Sequence, residues 1–235
     1  MSGLGAVRTG GSLVRTAIDA IAAHIGDNGL RVGDALPGEG EFAQRLGVSR
    51  AVIREAYGAL AAVGRIDVAN GRRAKVAAMD GSAMANTLDH AVATAQVTVP
   101  QVWDVRRTLE VRTAALAAQF RSDAQAAELL GIAGAMSSAV DDLAAVTNLD
   151  IAFHRLIAQA SGNALFAQIV GSFEHLMEVA VPTAWRTRET PWQRASILER
   201  HGDIARAIAR RDPAAAARGM EGHFDQAVGD ILAAD

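Results

Sequence analysis

The apolar positions of this chain fall into two regimes. Val14, Ile18, Ile21 and Ile25 keep the spacing of one helical face, with Ser12 placed to cap that helix and Gly26 to end it. The stretch "RVGDALPGEG" reads as a turn-rich joint, and "EFAQRLGV" as a short helix broken at Gly47. Ser49 then caps a helix running to about Gly64. In "RIDVANGRRAKVA" the helical period gives way to two short strands about Asn70 and Gly71, a preferred pair for a tight hairpin turn. Three helices and a hairpin over residues 12–78 outline a winged helix-turn-helix. A tail of small residues, 1–11, precedes it and is expected to be disordered.

From Gly81 onward the period is helical almost throughout, over 86–95, 101–120, 123–141, 146–161, 164–181, 191–210 and 213–233. Pro100, Pro182, Pro191 and Pro213 are expected at the joints, where a proline is tolerated. Residues 79–98 read as a linker and first bundle helix, and 99–235 as an all-helical bundle. The predicted fold is therefore mainly α: an N-terminal winged helix-turn-helix followed by an all-α helical bundle.

Composition narrows the chemistry. At 235 residues, half of them apolar, the chain can build one large or two modest cores. No run approaches the roughly 18 apolar residues of a membrane span, and the first residues lack the apolar block of a secretory signal, so a soluble, cytoplasmic protein is expected. The absence of cysteine excludes disulfides, thiolate metal sites and cysteine nucleophiles. Charge is uneven. Residues 1–77 carry ten Lys plus Arg against seven Asp plus Glu, and the remainder thirteen against nineteen. A basic N-terminal part points to nucleic acid.

That basic part has a specific layout. Arg50 and Arg54, four apart, project from one face at the start of the second helix of the helix-turn-helix, the helix that enters the major groove. An arginine can grip guanine O6 and N7, or a phosphate, through two parallel hydrogen bonds. Ser49 can cap the helix and also meet a phosphate. The wing adds Arg72, Arg73 and Lys75, the chain's only lysine, with Gly71 allowing close approach of backbone. The competing reading is a merely solvated face, Arg54 pairing with Glu55.

In the helical half, a wheel over 147–161 places Asp150 and His154 on the apolar side, with Asn148, Arg155 and Gln159 opposite. The same construction turns His201 in among Ile197, Leu198, Ile204 and Ile208, and His223 in among Ala216, Met220 and Ala227. A buried carboxylate needs compensation, which a divalent cation supplies. Three imidazoles and a carboxylate suit Zn²⁺ first, with Ni²⁺ and Mn²⁺ as alternatives. His24 and His90 are read as ordinary core histidines, and His175 is open between the two roles. Arg106 also faces inward. Two accounts stand for it: a buried ion pair with Glu110, or a receptor for the carboxylate of a bound effector.

The stretch "GDALPGEGEFAQRLGVSRAVIREAYGALAAVGRIDVANGRRAKV" resembles the DNA-binding domain of the GntR family of bacterial transcription regulators. The resemblance implies that Arg50 and Arg54 contact DNA and that the wing tip at Gly71 enters the minor groove. Gly40 departs from the family pattern, where an arginine that contacts DNA is common, and Gly38 stands for the usual serine. "DIAFHRLIAQASGN" and the separation of the two later histidines resemble the FCD effector domain of the FadR-type branch. In its metal-containing members an Asp, a His four residues on and two later His bind the ion, which implies Asp150, His154, His201 and His223. Arg106, Glu110 and Asn163 form the expected effector-binding set.

The resemblance thus implies a homodimeric transcription regulator, more often a repressor in this branch, bound to double-stranded DNA at an inverted-repeat operator. A small carboxylate at the metal-centred cavity would control it. A direct divalent-metal sensor and a His/Asp metalloenzyme are the alternatives at this stage.

Overall fold

The computed structural model describes residues 10–232 apart from Asn70, and it divides into two compact units, residues 1–83 and 84–235. In the first unit, helices α1 (Gly10–Asp27), α2 (Glu39–Leu46) and α3 (Arg50–Ala62) are followed by strands β1 (Ile66–Asp67) and β2 (Lys75–Val76). The helix begins before Ser12, which lies inside α1 and not ahead of it. Residues 10 and 11 of the expected tail are already helical, and 1–9 lie outside the described residues. The core is Ile21, Leu36, Phe42, Ile53, Tyr57, Leu60 and Ile66, all under 5% exposed, with Val14, Ile18 and Ile25 packed against it.

Two local devices set the angle between α2 and α3. Gly47 ends α2 at φ 64°, a left-handed position where an L side chain is strained. Ser49 then starts α3, its hydroxyl accepting a hydrogen bond from the Val52 N–H at 3.3 Å. The hairpin forms in the expected place, Ile66 opposite Val76 and Asp67 opposite Lys75. The joint before α2 is more than a turn: Asp34 accepts from the Val76 N–H at 2.9 Å and Leu36 donates to the Ala74 carbonyl at 2.8 Å. This segment lies beside β2 and ties the wing to the helices.

Helix α4 (Ser82–Ala93) begins at the boundary, and the second unit continues with α5 (Val99–Phe120), α6 (Asp123–Ser138), α7 (Leu143–Ala160), α8 (Ala164–Gly171), α9 (Glu174–Arg186), α10 (Pro191–Ala209) and α11 (Pro213–Leu232). Thr98 with Gln101, Ser122 with Gln125 and Thr190 with Gln193 form reciprocal caps at the starts of α5, α6 and α10. Asp142 caps α7 through the Ala145 N–H, so that helix starts three residues earlier than its apolar period suggests.

One predicted helix is corrected. Residues 164–181 are not continuous; α8 and α9 meet at a 57° bend. The Ser172 hydroxyl there bonds back to the Ile169 carbonyl at 2.7 Å, next to Gly171, and such a Gly-Ser pair weakens the helical ladder. Pro182 is corrected with it: it lies inside α9 and not at a joint. An interior proline costs about 3 kcal/mol, offset here by burial of Val181, Ala184 and Trp185 on the same helix.

The centre of this unit is α7, which packs against α5, α6, α8 and α9. Phe153 and Ile157 on α7 and Phe224 on α11 are fully buried.

Candidate metal centre and DNA-reading surface

One turn of α7 supplies Asp150 and His154, α10 supplies His201 and α11 supplies His223. The close approach of α10 and α11 depends on Gly219: a Cβ there would sit 2.9 Å from Ile204 Cγ1. With the helices that near, the His201 and His223 rings lie 4.6 Å apart between centroids, and His154 lies 5.0 Å from His223 and 6.0 Å from His201.

One ligand-type atom from each of the four residues lies within 4.8 Å of all the others. A tetrahedral ion with bonds of about 2.0–2.2 Å holds its donors about 3.3–3.6 Å apart, so the widest pair would close by about 1 Å around it.

Hydrogen bonding fixes which nitrogen each ring offers. His201 Nδ1 donates to the Ile197 carbonyl at 2.8 Å, which turns Nε2 toward Asp150 Oδ1, 3.0 Å away. His154 Nδ1 meets Glu110 Oε2 in a short contact, and its Nε2, 4.0 Å from Asp150 Oδ1, is buried without a hydrogen-bond partner. His223 Nδ1 is likewise buried and unpaired. Metal-bound histidines characteristically donate their second N–H to a carboxylate or backbone carbonyl, as His154 and His201 do here. Buried nitrogens left unpaired around a carboxylate fit a cation that this donor set can hold.

The electrostatics agree. Burial alone would raise the Asp150 carboxyl; the hydrogen bond to His201 and the nearby His154 and His201 rings outweigh it and hold the group ionised, well below its ordinary range. Burial, reinforced by His201 and His154, holds His223 well below the usual imidazole value, in the neutral form that ligates.

Arg106 forms the ion pair with Glu110. Its Nε donates to Glu110 Oε1 at 2.7 Å, both side chains are 3% exposed or less, and the guanidinium lies 5.1 Å from the Trp103 ring and 5.3 Å from Phe224. Burial works to raise the Glu110 carboxyl, but Arg106 and His154 prevail and keep it ionised. Glu110 therefore reaches the cluster indirectly, as the acceptor that orients the His154 ring.

Asn163 is not brought to this centre. It is an exposed cap of α8, its side-chain oxygen accepting from the Leu165 N–H at 3.0 Å. Nor are His24, His90 and His175 core residues: His24 is half-buried against the edge of Phe42, His90 is exposed, and His175 pairs on the surface with Asp89 at 2.8 Å.

Beside Asp150, His201 and His223 lies a cavity of about 20 Å³, bounded also by Trp103, Trp185 and Arg188. That is room for one water-sized occupant. Larger grooves, about 790 Å³ between α6 and α10 and about 580 Å³ along α9, touch none of the four clustered residues. Arg188 and Trp185 escape a reading by helical period because the first lies between helices and the second is ordinary core by spacing.

In the first unit Ser49, Arg50, Arg54, Gly71, Arg72, Arg73 and Lys75 are all exposed. Arg54 is not paired with Glu55; its Nε and one terminal nitrogen grip the Glu39 carboxylate at 3.0–3.3 Å, across to α2. That carboxylate raises the Arg54 pKa, by hydrogen bond first and charge second. Arg50 lies over Gly40, where a Cβ would come within 3.1–3.3 Å of the guanidinium. Asn70, the other half of the expected turn pair, lies outside the described residues.

Residues 13–76 match the family of bacterial regulatory proteins named for gntR, and residues 101–226 match the FCD domain. The chain belongs to the GntR family. This GntR–FCD regulator is 30% identical over 211 residues to the Glc operon transcriptional activator of Escherichia coli K12, a match covering 87% of the chain and 83% of the relative. It is 29% identical to the HTH-type transcriptional regulator LutR of Bacillus subtilis, over 86% of the chain and 93% of that protein. A similar match, 29% identical over 82% of the chain and 75% of the relative, is to the transcriptional repressor NanR of Citrobacter rodentium. The fold is similar to that of a GntR protein from Streptococcus agalactiae, with TM-score 0.69 and 26% identity over 92% of this chain and 99% of that one. The GntR–FCD chain is accordingly a DNA-binding transcription regulator and not an enzyme. No single helix among the described residues is long and apolar enough to cross a membrane.

Proposed function

We propose that this GntR–FCD regulator is a cytoplasmic homodimer that binds an inverted-repeat operator as a repressor, and that a small organic acid bound at a divalent metal ion sets its operator affinity. Asp150, His154, His201 and His223 would hold the ion, Zn²⁺ before Ni²⁺ or Mn²⁺. When bound, the ion supplies open positions for carboxylate oxygens. Arg50, Arg54 and the wing cations would read the DNA, with Ser49 fixing the start of the reading helix.

The observation that carries this reading is the His201 ring. One nitrogen is committed to the Ile197 carbonyl, and the other faces a buried carboxylate across 3.0 Å. The acid acts only through its different affinities for the two DNA-binding states, a coupling of about 1–3 kcal/mol in typical regulators.

The test joins elemental analysis to a thermal-shift screen of small carboxylates, with and without chelator. One ion per chain and a carboxylate-dependent rise in Tm that vanishes with chelator support the reading. His201→Ala is expected to lose both. Unchanged metal stoichiometry in that variant removes the ligand assignment.

A further inference from the structure

We propose that the indole N–H of Trp103 recognises the acid at the metal centre, by donating to the carboxylate oxygen that the ion does not take. This rests on the reading that the centre binds a carboxylate, and it names the residue of this chain that fixes how the acid lies.

Trp103 is 4% exposed and lines the same small cavity as Asp150, His201 and His223. Its Nε1 is buried without a hydrogen-bond partner. An indole N–H can only donate, and a buried donor left unpaired is costly, so its acceptor has to come from what occupies the cavity. Among the described residues four buried side-chain polar atoms lack a partner, and three of them belong here: Trp103 Nε1, His154 Nε2 and His223 Nδ1. The two imidazole nitrogens call for a cation and the indole for an oxygen beside it. A metal-bound water meets that need when no acid is present. A carboxylate meets it better, because a hydrogen bond to an ionised oxygen is the stronger one.

The donor is held in place. The Trp103 ring meets the Phe224 ring edge-on at 5.6 Å, and the Arg106 guanidinium lies over it at 5.1 Å, a positive charge that polarises the indole toward donation. Trp103, Arg106 and Glu110 stand three and four residues apart on one face of α5, whose start is fixed by the Thr98–Gln101 cap. One helical face thus reaches the cluster twice, through Glu110 on the His154 ring and through Trp103 at the cavity. The cavity, about 20 Å³, accepts a head group of about the size of water.

The experiment uses the full chain loaded with Zn²⁺, with acetate, glycolate and L-lactate as probes. Affinity is read by calorimetry, with metal content and Tm measured alongside. The three tryptophans give three indole N–H resonances in a nitrogen-proton spectrum, and Trp103→Phe identifies the one that belongs to Trp103. That resonance is expected to move downfield as acid is added, while that of Trp192, 76% exposed, stays in place. Trp103→Phe keeps an aromatic ring and removes only the donor. It is expected to weaken binding of the acids about tenfold or more at wild-type metal content. Wild-type affinity in this variant overturns the assignment, and so does loss of the metal together with the acid. Should the variant not fold, a wild-type spectrum in which bound acid moves no indole resonance overturns it. A zinc-loaded wild type that binds none of the three acids removes the carboxylate reading itself, and the role of Trp103 falls with it.

Discussion

His201 Nε2 lies 3.0 Å from Asp150 Oδ1 while the other nitrogen of the same ring is spent on the Ile197 carbonyl. A neutral imidazole with its proton on Nδ1 presents a lone pair at Nε2, and a lone pair facing an ionised carboxylate requires a cation between them. Either a second proton or a metal ion meets that requirement. His154 Nε2 and His223 Nδ1, buried in the same cluster without hydrogen-bond partners, favour the ion.

The Arg106–Glu110–His154 chain should behave as one unit. Glu110→Gln leaves Arg106 buried without its counter-charge, and breaking such a pair costs about 3–5 kcal/mol. It should also weaken metal binding about 10- to 100-fold through the loss of the acceptor that orients His154. Adding Arg106→Met should restore much of the stability but not the metal affinity. Urea unfolding followed by tryptophan fluorescence reads the first effect, and a competitive chelator titration the second. Strict additivity of the two substitutions would show that the residues are not coupled.

Gly219→Ala changes no ligand, yet its new methyl group would press on Ile204 and part α10 from α11. The His201–His223 separation should widen, and metal affinity should fall while metal-free stability drops by about 1–3 kcal/mol, the usual cost of overpacking. Wild-type metal affinity in this variant would mean that the spacing of the two helices does not define the site.

On the DNA-reading face, Arg54→Ala should abolish operator binding with metal content and oligomeric state intact. Its pair with Glu39 is exposed and contributes little to folding. Thermal stability should therefore stay close to that of the wild type. Gly40→Ala should shift operator preference through Arg50, whose guanidinium occupies the space over Gly40. Gel-shift affinity together with selection of preferred sequences separates the two effects, and wild-type affinity in Arg54→Ala contradicts the assignment.

The chain's single tyrosine reports on the first unit. The Tyr57 hydroxyl donates to the Pro37 carbonyl at 2.5 Å. Burial, with Glu39 and Glu41 nearby, pushes its pKa up to about 12 from the ordinary 10.0. The folded state thus holds this proton more tightly than the unfolded chain. Its contribution, about 2–3 kcal/mol, is full below pH about 10 and disappears as pH rises through about 12. Tyrosinate difference absorbance should appear only near that upper value, together with unfolding of this unit. Titration near 10 in the folded protein would contradict the burial argument.

Periodicity carried most of the architecture because both units bury one face of each helix. Ser49, Gly47 and the Asn70–Gly71 region announce themselves by residue type, and the inward set Asp150, His154, His201 and His223 lies among apolar neighbours at helical spacing. What sequence did not reveal has physical causes. The α8–α9 bend depends on a hydroxyl turning back on its own ladder at Ser172, and continuous apolar spacing hides it. Asn163 is chemically a good ligand but equally a good cap, and only the fold decides between them. The Arg54–Glu39 grip joins residues fifteen apart on different helices, and Arg188 lies in a connection where no period applies.

The measurement that bears most directly on the central claim is fluorescence anisotropy of the full chain on an operator fragment selected from random DNA. It is made with metal-loaded and chelator-stripped protein, each with and without a small carboxylate. The account predicts that the acid changes operator affinity about 5- to 150-fold in the metal-loaded protein and has no effect once the ion is removed. An equal response to the acid with and without metal, or none in either, would contradict it.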